Sequence, residues 1–347
     1  MVLSASKEIL LELLRRWPRS AVSKALETYA YQEAALLDGS VSRLLSEQAA
    51  ERSSIPPPKL SSDSVGFFEP EFPAVLRHIP DPPLLLYYRG ELAALGKPAV
   101  AIVGARRATK LGKLTATELG VRLAECGLTV ISGLAYGIDA AAHQGAMQTQ
   151  AACVAVLGAG LDHLYPKSHT PLAKKLIRQG GLLLSEYPDG CPPLAHQFPE
   201  RNRIISGLSN GVVVVEAGLR SGSLITARLA LEQGREVFAF PGPITSAVSK
   251  GCHALIRQGA ELVTDAAEVL AGLGLAPPSK PSAKDRTAPA LNPDQRYLFA
   301  FFQGSAMTVD ELHHCTGWPV EKVMAELGAL QLAGFVHATA RGYIASP

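Results

Sequence analysis

Several features that would assign this 347-residue chain to a familiar class are missing from it. No stretch approaches the ~20 consecutive apolar residues that span a bilayer, so we expect no membrane segment. The N-terminal apolar run contains an acidic residue and is followed by two arginines, which is typical of an amphipathic helix and not of a signal peptide. The five cysteines are scattered and form no CxxC pair, which argues against zinc or a disulfide framework and predicts a cytoplasmic protein.

The glycine patterns of nucleotide-binding enzymes are also absent. Gly104 ends the first long apolar run, but no second glycine follows two residues later, and the GAG triplet at 158–160 lacks the third glycine of GxGxxG. The GxxxxGK[ST] loop of NTPases does not occur either. These absences weaken a dehydrogenase or NTPase interpretation, and we expect neither a cofactor nor a metal, since the nine histidines show no ligand spacing.

Positive charge is concentrated in the centre of the chain, although the net charge is only +2. Residues 97–260 contain 17 Lys and Arg against 10 Asp and Glu, whereas the rest of the chain contains 16 against 21. Clustered basic charge is typical of proteins that bind polyanions. The central part is therefore expected to contact an anionic partner.

Seven short apolar runs recur in this central part, and helical patterns separate most of them. They occupy residues 99–103, 128–131, 153–157, 182–184, 212–215, 236–240 and 261–263. Continuous apolar strands alternating with amphipathic helices predict a parallel sheet covered on both faces. We predict an α/β fold with a Rossmann-like, doubly wound, mainly parallel sheet over residues 65–272, and an extra strand at Leu84–Tyr88.

Two smaller parts flank this sheet. Residues 1–52 show three helical patterns, and the Pro/Ser-rich segment 53–64 is predicted as a linker. We favour packing or dimerisation over DNA binding as the role of this helical module. After a second linker at 273–291, residues 292–347 fit a winged-helix domain. Its third helix carries Glu321 and Glu326, which oppose insertion into a DNA groove and favour a protein-interaction or regulatory role.

Polar clusters rich in small residues follow the predicted strands. They are Gly104–Arg107, Ser132–Asp139, Leu157–Lys167, Phe198–Ser206 and Ser221–Ser223. The carboxyl ends of parallel strands meet at one sheet edge, where helix N-termini favour anions. Basic residues in three clusters, and Arg106, Arg107 and Lys110 at the start of one helix, predict a phosphate-bearing ligand. Candidate stacking groups are Tyr136, Tyr165, Tyr187 and Phe198.

Some polar residues have two interpretations. Asp139 and His143 are four apart on one helix, and we favour a structural hydrogen-bonded pair over an acid/base dyad. Glu216 at the end of VVVVE is either a catalytic carboxylate or a group that orients an arginine or a loop N–H, and we favour the second. Arg201 and Arg203 fit either a solvated face or a wedged loop, and Asn202 between them with Ile204-Ile205 after them favours the loop.

The motifs together resemble one family. The runs VGARRAT, SGLAYGIDAAAH, LGAGLDHLYPKSH, FPERNRIISGLS and VVVVEAGLRSGSLITARLALEQGREVFAFPG, in this order, closely resemble the DprA/Smf family of bacterial DNA-processing proteins. The resemblance covers residues 67–270, and the winged-helix segment is similar to that of the longer members. The N-terminal module lacks the glycine-rich hairpin of many members.

The resemblance implies a non-enzymatic protein that binds single-stranded DNA without marked sequence preference. It implies protection of incoming DNA and loading of the RecA recombinase during natural transformation, with a homodimer formed through the Rossmann-like domain. Transferred by motif position, the DNA-binding residues are Arg106, Lys167, Arg201, Asn202, Arg203 and Lys250, with backbone contacts from Gly222 and Ser223.

An enzymatic alternative shares this architecture. Phosphoribohydrolases, which cleave the base from a nucleoside monophosphate, carry a PGGxGTxxE pattern. The comparable stretch, Gly222–Leu229, has no glutamate three residues after Thr226. That absence counts against hydrolysis.

Overall fold

The computed structural model describes residues 4–47, 63–149, 151–275, 291–302, 306–332, 335–339 and 342–345. These residues form two compact units, which fall within residues 1–278 and 279–347. Most of the two predicted linkers lies outside the described residues.

The first unit begins with four helices instead of the three predicted. They are α1 (Ala5–Arg16), α2 (Arg19–Thr28), α3 (Glu33–Leu37) and α4 (Ser40–Glu47). The third predicted helix is divided because Gly39 has φ of +80°, a left-handed conformation that ends a helix. The four helices share a small apolar core that includes Leu10, Leu26 and Val41. They belong to the same compact unit as the sheet.

A nine-stranded sheet forms the centre of this unit. Its strands are β1 (Asp63–Gly66), β2 (Leu85–Gly90), β3 (Ala99–Gly104), β4 (Thr129–Ser132), β5 (Cys153–Leu157), β6 (Leu182–Ser185), β7 (Gly211–Glu216), β8 (Glu236–Ala239) and β9 (Glu261–Leu262). The helices beside it are α5 (Ala74–Arg77), α6 (Lys110–Glu125), α7 (Ile138–Ala146), α8 (Thr170–Arg178), α9 (Gln197–Gly207), α10 (Gly222–Glu232), α11 (Lys250–Arg257) and α12 (Ala266–Gly272). All seven predicted parallel strands are present, whereas β1 was missed and begins inside the segment predicted as a linker.

The strand order places the topological switch point in the middle of the sheet. The order is β1-β2-β6-β5-β4-β3-β7-β8-β9, and the seven strands from β6 to β9 are parallel, while β1 and β2 extend one edge antiparallel. The chain runs outward from β3 to β6 and then returns to place β7 on the other side of β3. Ligands of open α/β sheets bind in the crevice that such a reversal opens.

Two apolar layers cover the faces of the sheet. One contains residues of α6, α7, α8 and α12, and the other contains residues of α5, α9, α10 and α11. Val100 and Ile102 of β3 face the first layer, and Ala101 and Val103 face the second. Both side-chain directions of the strand are thus buried, which explains the uninterrupted apolar run. The predicted Rossmann-like, doubly wound fold is confirmed.

The segment around residues 201–203 is helical, and the expectation of a loop is wrong. Helix α9 covers Gln197–Gly207, with Pro199 in its first turn, where the missing N–H costs nothing. The second unit contains α13 (Pro293–Phe299), α14 (Val309–Thr316), α15 (Val320–Leu332) and the hairpin β10 (Val336–Thr339) and β11 (Gly342–Ala345), in agreement with the winged-helix prediction.

Candidate functional site

A cavity of about 780 Å³ opens where the carboxyl ends of β3 and β7 diverge. The loop after β3, the loop after β7, the first turn of α10 and one face of α9 contribute its walls. Of the sequence-predicted residues, the lining includes Arg106, Arg201, Asn202, Gly222 and Ser223. Five residues from three distant segments of the chain therefore meet at one crevice.

Aromatic rings line the cavity beside an arginine. The guanidinium carbon of Arg106 lies 5.2 Å from the centre of the Phe198 ring, and the Phe198 and Tyr165 rings are 5.6 Å apart. A cation over an aromatic face contributes roughly 0.5–1 kcal/mol at an exposed site, so the stack holds the Arg106 side chain in place. Tyr165 is 45% exposed. The cavity thus offers a positive charge and an accessible π-surface side by side.

Arg201 lines the same cavity and is buried. Its Nη1 donates to the carbonyl oxygens of Gly133 (3.0 Å) and Val156. Burial lowers the pKa of Arg201 to about 10, against the opposing effect of Asp139, and the nearby charge of Arg106 lowers it further. The group stays cationic at neutral pH, so it supports the loop ends and adds to the positive potential of the cavity.

Asp139 organises the loop after β4 and is the one carboxylate that lines the cavity among the described residues. Its Oδ2 accepts from the backbone N–H of Gly133 at 3.1 Å and of Ala135 at 3.4 Å. Burial raises its pKa, and the charge of Arg201 counteracts that rise. The expected hydrogen bond between Asp139 and His143 is absent: both ring nitrogens of the buried His143 lack a partner among the described residues.

Gly137 allows this loop to reach the loop after β3. It has φ of +81°, and a Cβ at this position would lie 2.1 Å from the carbonyl oxygen of Ala105. A side chain is therefore excluded by conformation and by contact. The close approach fixes the backbone next to Arg106.

Glu216 closes the N-terminus of α6. Its carboxylate accepts from the Thr109 N–H (2.8 Å) and the Thr109 hydroxyl (2.6 Å), and the same hydroxyl accepts from the Gly112 N–H. The interpretation that Glu216 orients a loop N–H is confirmed. The expectation that the backbone N–H groups at the start of α6 hold an external anion is wrong, because the Glu216 carboxylate already occupies that position.

The N-terminus of α10 opens toward the cavity instead. Gly222 has free space where a side chain would lie, and the Ser221 hydroxyl accepts from the Ser223 N–H at 3.4 Å. Asn202 donates from Nδ2 to the carbonyl oxygen of Gly222 at 3.4 Å, which connects α9 to this turn. Free N–H groups at a helix start favour anions, so this turn suits a phosphate better than the start of α6 does.

Arg203 lies outside the cavity, although it is only two residues from Arg201. Its guanidinium contacts the carboxylates of Glu186 (2.5 Å) and Asp81 (2.9 Å), and both carboxylates also contact Arg19 of α2. We call Arg19, Asp81, Glu186 and Arg203 the charge ring. The geometry gives Arg203 a structural contact in place of the predicted ligand contact.

Lys167 and Lys250 lie at the same sheet edge but do not line the cavity. Both side chains are exposed. Lys167 opens the 3₁₀ turn Lys167–His169 after β5, and Lys250 is the first residue of α11 after β8. A ligand contact by either lysine stays a prediction.

Two further exposed arginines, Arg107 and Arg220, line the cavity. Arg107 belongs to the basic cluster that the sequence places at the start of α6, whereas Arg220 was not predicted. Arg220 follows the VVVVE strand, so its place after a strand end was the available signal. Tyr187, in contrast, is buried, and its hydroxyl donates to Glu200 at 2.6 Å, so it is not an accessible stacking group.

The described residues contain no cluster of three or more His, Cys, Asp or Glu suited to a metal ion. Within the same ranges, no helix combines the length and apolar character needed to cross a bilayer.

Comparison with known proteins gives consistent matches over most of the chain. The family described as DNA recombination-mediator protein A matches residues 63–274, and the DprA winged helix domain matches residues 282–340. Protein Smf of Escherichia coli is 45% identical over 280 residues, which cover 79% of this chain and 74% of that protein. DNA processing protein DprA of Streptococcus pneumoniae is 48% identical over 200 residues, covering 58% and 70% respectively.

Solved structures of the same kind of protein also match this chain. The X-ray structure of S. pneumoniae DprA superimposes with a TM-score of 0.64 at 36% identity, over 78% of this chain and 98% of that chain. A Helicobacter pylori DNA processing protein A structure, described for its single-stranded DNA binding mode, gives a TM-score of 0.55 at 29% identity, over 61% and 96%.

Proposed function

Because the chain belongs to the DNA recombination-mediator protein A family, which includes DprA and Smf proteins, we propose that it binds single-stranded DNA at the cavity between β3 and β7. The observation that carries the proposal is the stack of Arg106, Phe198 and Tyr165 beside the open start of α10. Single-strand binders combine a basic groove with aromatic rings on which bases stack. The single-stranded DNA binding mode described for the H. pylori protein supports the same ligand.

Phosphate and base contacts fall to different groups in this proposal. Arg106, Lys167 and Lys250 contact phosphates electrostatically. The N–H of Gly222, and that of Ser223 once it exchanges the Ser221 hydroxyl for the ligand, hold one phosphate at α10. Phe198 and Tyr165 stack on bases, whose π-faces are accessible only when the strand is unpaired. Arg201 and Asn202 position the walls of the cavity. Phosphate contacts and stacking do not read base identity, so we expect binding that is largely independent of sequence.

The partners and setting follow the family resemblance. We expect the protein to act in the cytoplasm, to protect incoming DNA and to load RecA on it, without catalysing a reaction. A homodimer through the Rossmann-like domain is supported by β9, the last strand of the sheet, where Leu262 is 47% exposed. The hydrolase alternative gains no support, since Glu216 is engaged by Thr109 and Asp139 by backbone N–H groups.

Fluorescence anisotropy with a labelled poly-dT strand across a salt series tests the binding site. We expect tight, salt-sensitive binding by the wild type, which Arg106→Ala/Lys167→Ala weakens, and a decrease in the salt slope of about 0.7 per lost phosphate contact. Lys174→Ala/Lys175→Ala, on the exposed surface of α8, removes the same charge and serves as the control. A folded wild type that binds no strand, or that binds duplex equally well, contradicts the proposal.

A second assay tests the recombinase step. RecA filament growth is followed on a strand already coated with a single-strand binding protein, with and without this protein. We expect faster filament growth with the wild type and not with Arg106→Ala/Lys167→Ala. Equal growth in all three reactions contradicts RecA loading while leaving the DNA site intact.

A further inference from the structure

A second opening lies beside the main cavity, between α6 and α7. This groove has a volume of about 320 Å³. Lys110, Lys113, Tyr136, Gln144 and His169 are among the residues that line it. None of the motif residues transferred from the family resemblance lies in it, so the proposed function leaves it unexplained.

The groove is continuous with the main cavity through Tyr136. A small cleft joins them: Tyr136 lines both this cleft and the groove, while Arg106, Tyr165 and Phe198 line both the cleft and the cavity. A chain that leaves the aromatic stack on this side therefore meets the Tyr136 ring next.

Tyr136 is held in place and accessible at the same time. Its side chain is 47% exposed, its hydroxyl forms a 3.0 Å hydrogen bond with the Ser168 hydroxyl, and its ring meets the His169 ring edge-on with centroids 4.9 Å apart. An exposed ring fixed by its neighbours loses little side-chain entropy when a base stacks on it. Because Nδ1 of His169 is within 2.8 Å of the Leu134 carbonyl oxygen, the supporting ring is fixed as well.

The charge of the groove suits a phosphate backbone. Lys110 and Lys113 are exposed and form no ion pair with any described residue, and no described carboxylate lines the groove. The acidic side chains of α6, Glu118 and Glu125, both pair with Arg122 at the far end of the helix. The carboxylate of Glu216 lies at Gly112 and is bound by Thr109.

We propose that the α6–α7 groove binds the next segment of the same single strand, with Tyr136 stacking on a base and the two lysines contacting phosphates. This inference rests on the proposed function, because it extends the strand that the cavity holds. It makes Tyr136 the point at which the strand passes from the cavity to the surface of α6. It also predicts that affinity depends on strand length, since a short strand fills the cavity alone.

The test compares two strand lengths in the full-length protein. Labelled dT strands of about 4 and about 16 nucleotides bracket the site sizes usual for single-strand binding folds. Lys110→Ala/Lys113→Ala is expected to lower the affinity for the long strand and to reduce the salt slope of that binding by about 1.4. The short strand should bind with wild-type affinity. Unchanged short-strand binding also shows that the variant is folded. Lys174→Ala/Lys175→Ala is the charge-matched control.

Tyr136 has a separate readout. Tyr136→Ala is expected to lower long-strand affinity about fivefold, the low end of the range for loss of one stacked base. Strands carrying a single 5-iodouracil are irradiated, and the cross-linked residue is identified by mass spectrometry. Cross-links to Tyr136 are expected from a different nucleotide position than those to Tyr165.

The outcomes separate this inference from the proposed function. If the wild type binds neither strand, the proposed function fails and the groove proposal with it. If the wild type binds both strands but Lys110→Ala/Lys113→Ala weakens the long one no more than the α8 control does, the groove proposal alone is wrong. Absence of a Tyr136 cross-link at every labelled position contradicts it in the same way.

Discussion

Replacing Arg203 with alanine tests whether this arginine supports the fold and not the ligand. Arg203 and Glu186 are each 6% exposed and lie 2.5 Å apart. Truncation leaves Glu186 buried with Arg19 at 3.5 Å as its remaining partner in the charge ring. Breaking a buried ion pair costs roughly 3–5 kcal/mol, and since Arg19 stays, we expect a loss near the lower end, about 3 kcal/mol. For a unit of this size that lowers Tm by about 6–12 °C.

The assay combines thermal unfolding with the salt dependence of strand binding. For Arg203→Ala we expect a lower Tm and an unchanged salt slope, measured at a temperature where the variant is folded. Arg106→Ala is the matched control: its side chain is exposed and loses only the contact with the Phe198 ring, so stability falls by about 1 kcal/mol at most, while the salt slope falls by about 0.7. Arg203→Lys keeps the charge but loses the planar guanidinium group, so its Tm should lie between those of Arg203→Ala and the wild type.

The result that refutes this reasoning is specific. If the Tm of Arg203→Ala equals that of the wild type and its salt slope falls as that of Arg106→Ala does, Arg203 contacts phosphate. The charge ring would then be incidental, and the role transferred from the motif would be correct after all.

Three other perturbations have expected outcomes. Gly137→Ala places a methyl group against the Ala105 carbonyl oxygen at a residue with positive φ. We expect a lower Tm and weaker strand binding, because the loop that carries Arg106 must move. A wild-type Tm and affinity would contradict the close approach. Glu216→Ala removes the two hydrogen bonds that the carboxylate accepts from Thr109, the N-cap of α6, and we expect a loss of about 1 kcal/mol. Sulfate should then raise the Tm of the variant more than that of the wild type, because the carboxylate no longer occupies the helix start; equal increments count against that conclusion. Burial lowers the pKa of His143 to about 3, with further lowering from His169 and Arg201, so the folded state favours neutral His143. The unfolded chain takes up this proton below pH ~6.5, so the stability that neutral His143 supports is complete above that pH and falls by about 2 kcal/mol at pH 5. In urea titrations, the free energy of unfolding of His143→Leu should fall less between pH 7 and pH 5 than that of the wild type. The same pH profile in both proteins would count against this role of His143.

The sheet could be predicted because six of its seven parallel strands, all except β9, are buried on both faces. An uninterrupted apolar run such as AVAIV has no alternation, and that pattern is local in sequence. Strand β1 escaped prediction because DSVG is short and carries Asp63 and Ser64. Helix α9 escaped because its buried faces include arginines, and a charged residue normally indicates exposure.

The candidate site was predictable in its location and less so in its individual contacts. Strand ends and helix starts identify the edge, because parallel strands bring their carboxyl ends together. The fate of each charge depends on partners that are remote in the chain: Arg203 meets Asp81, and Thr109 meets Glu216. Such pairs have no local pattern, so the sequence around Asn202 gives no sign that Arg201 and Arg203 reach different environments.

The same remote contacts decide which helix start can hold a phosphate. Sequence alone favours α6, where Arg106, Arg107 and Lys110 cluster. Glu216 occupies that helix start, so a second anion there would meet a carboxylate at close range. The start of α10 has no such occupant among the described residues, and Gly222 leaves it open to the cavity. With Arg106 drawn over the Phe198 ring, charge and π-surface converge on that opening, so a bound strand is expected to turn its phosphate toward α10 and its base toward Phe198.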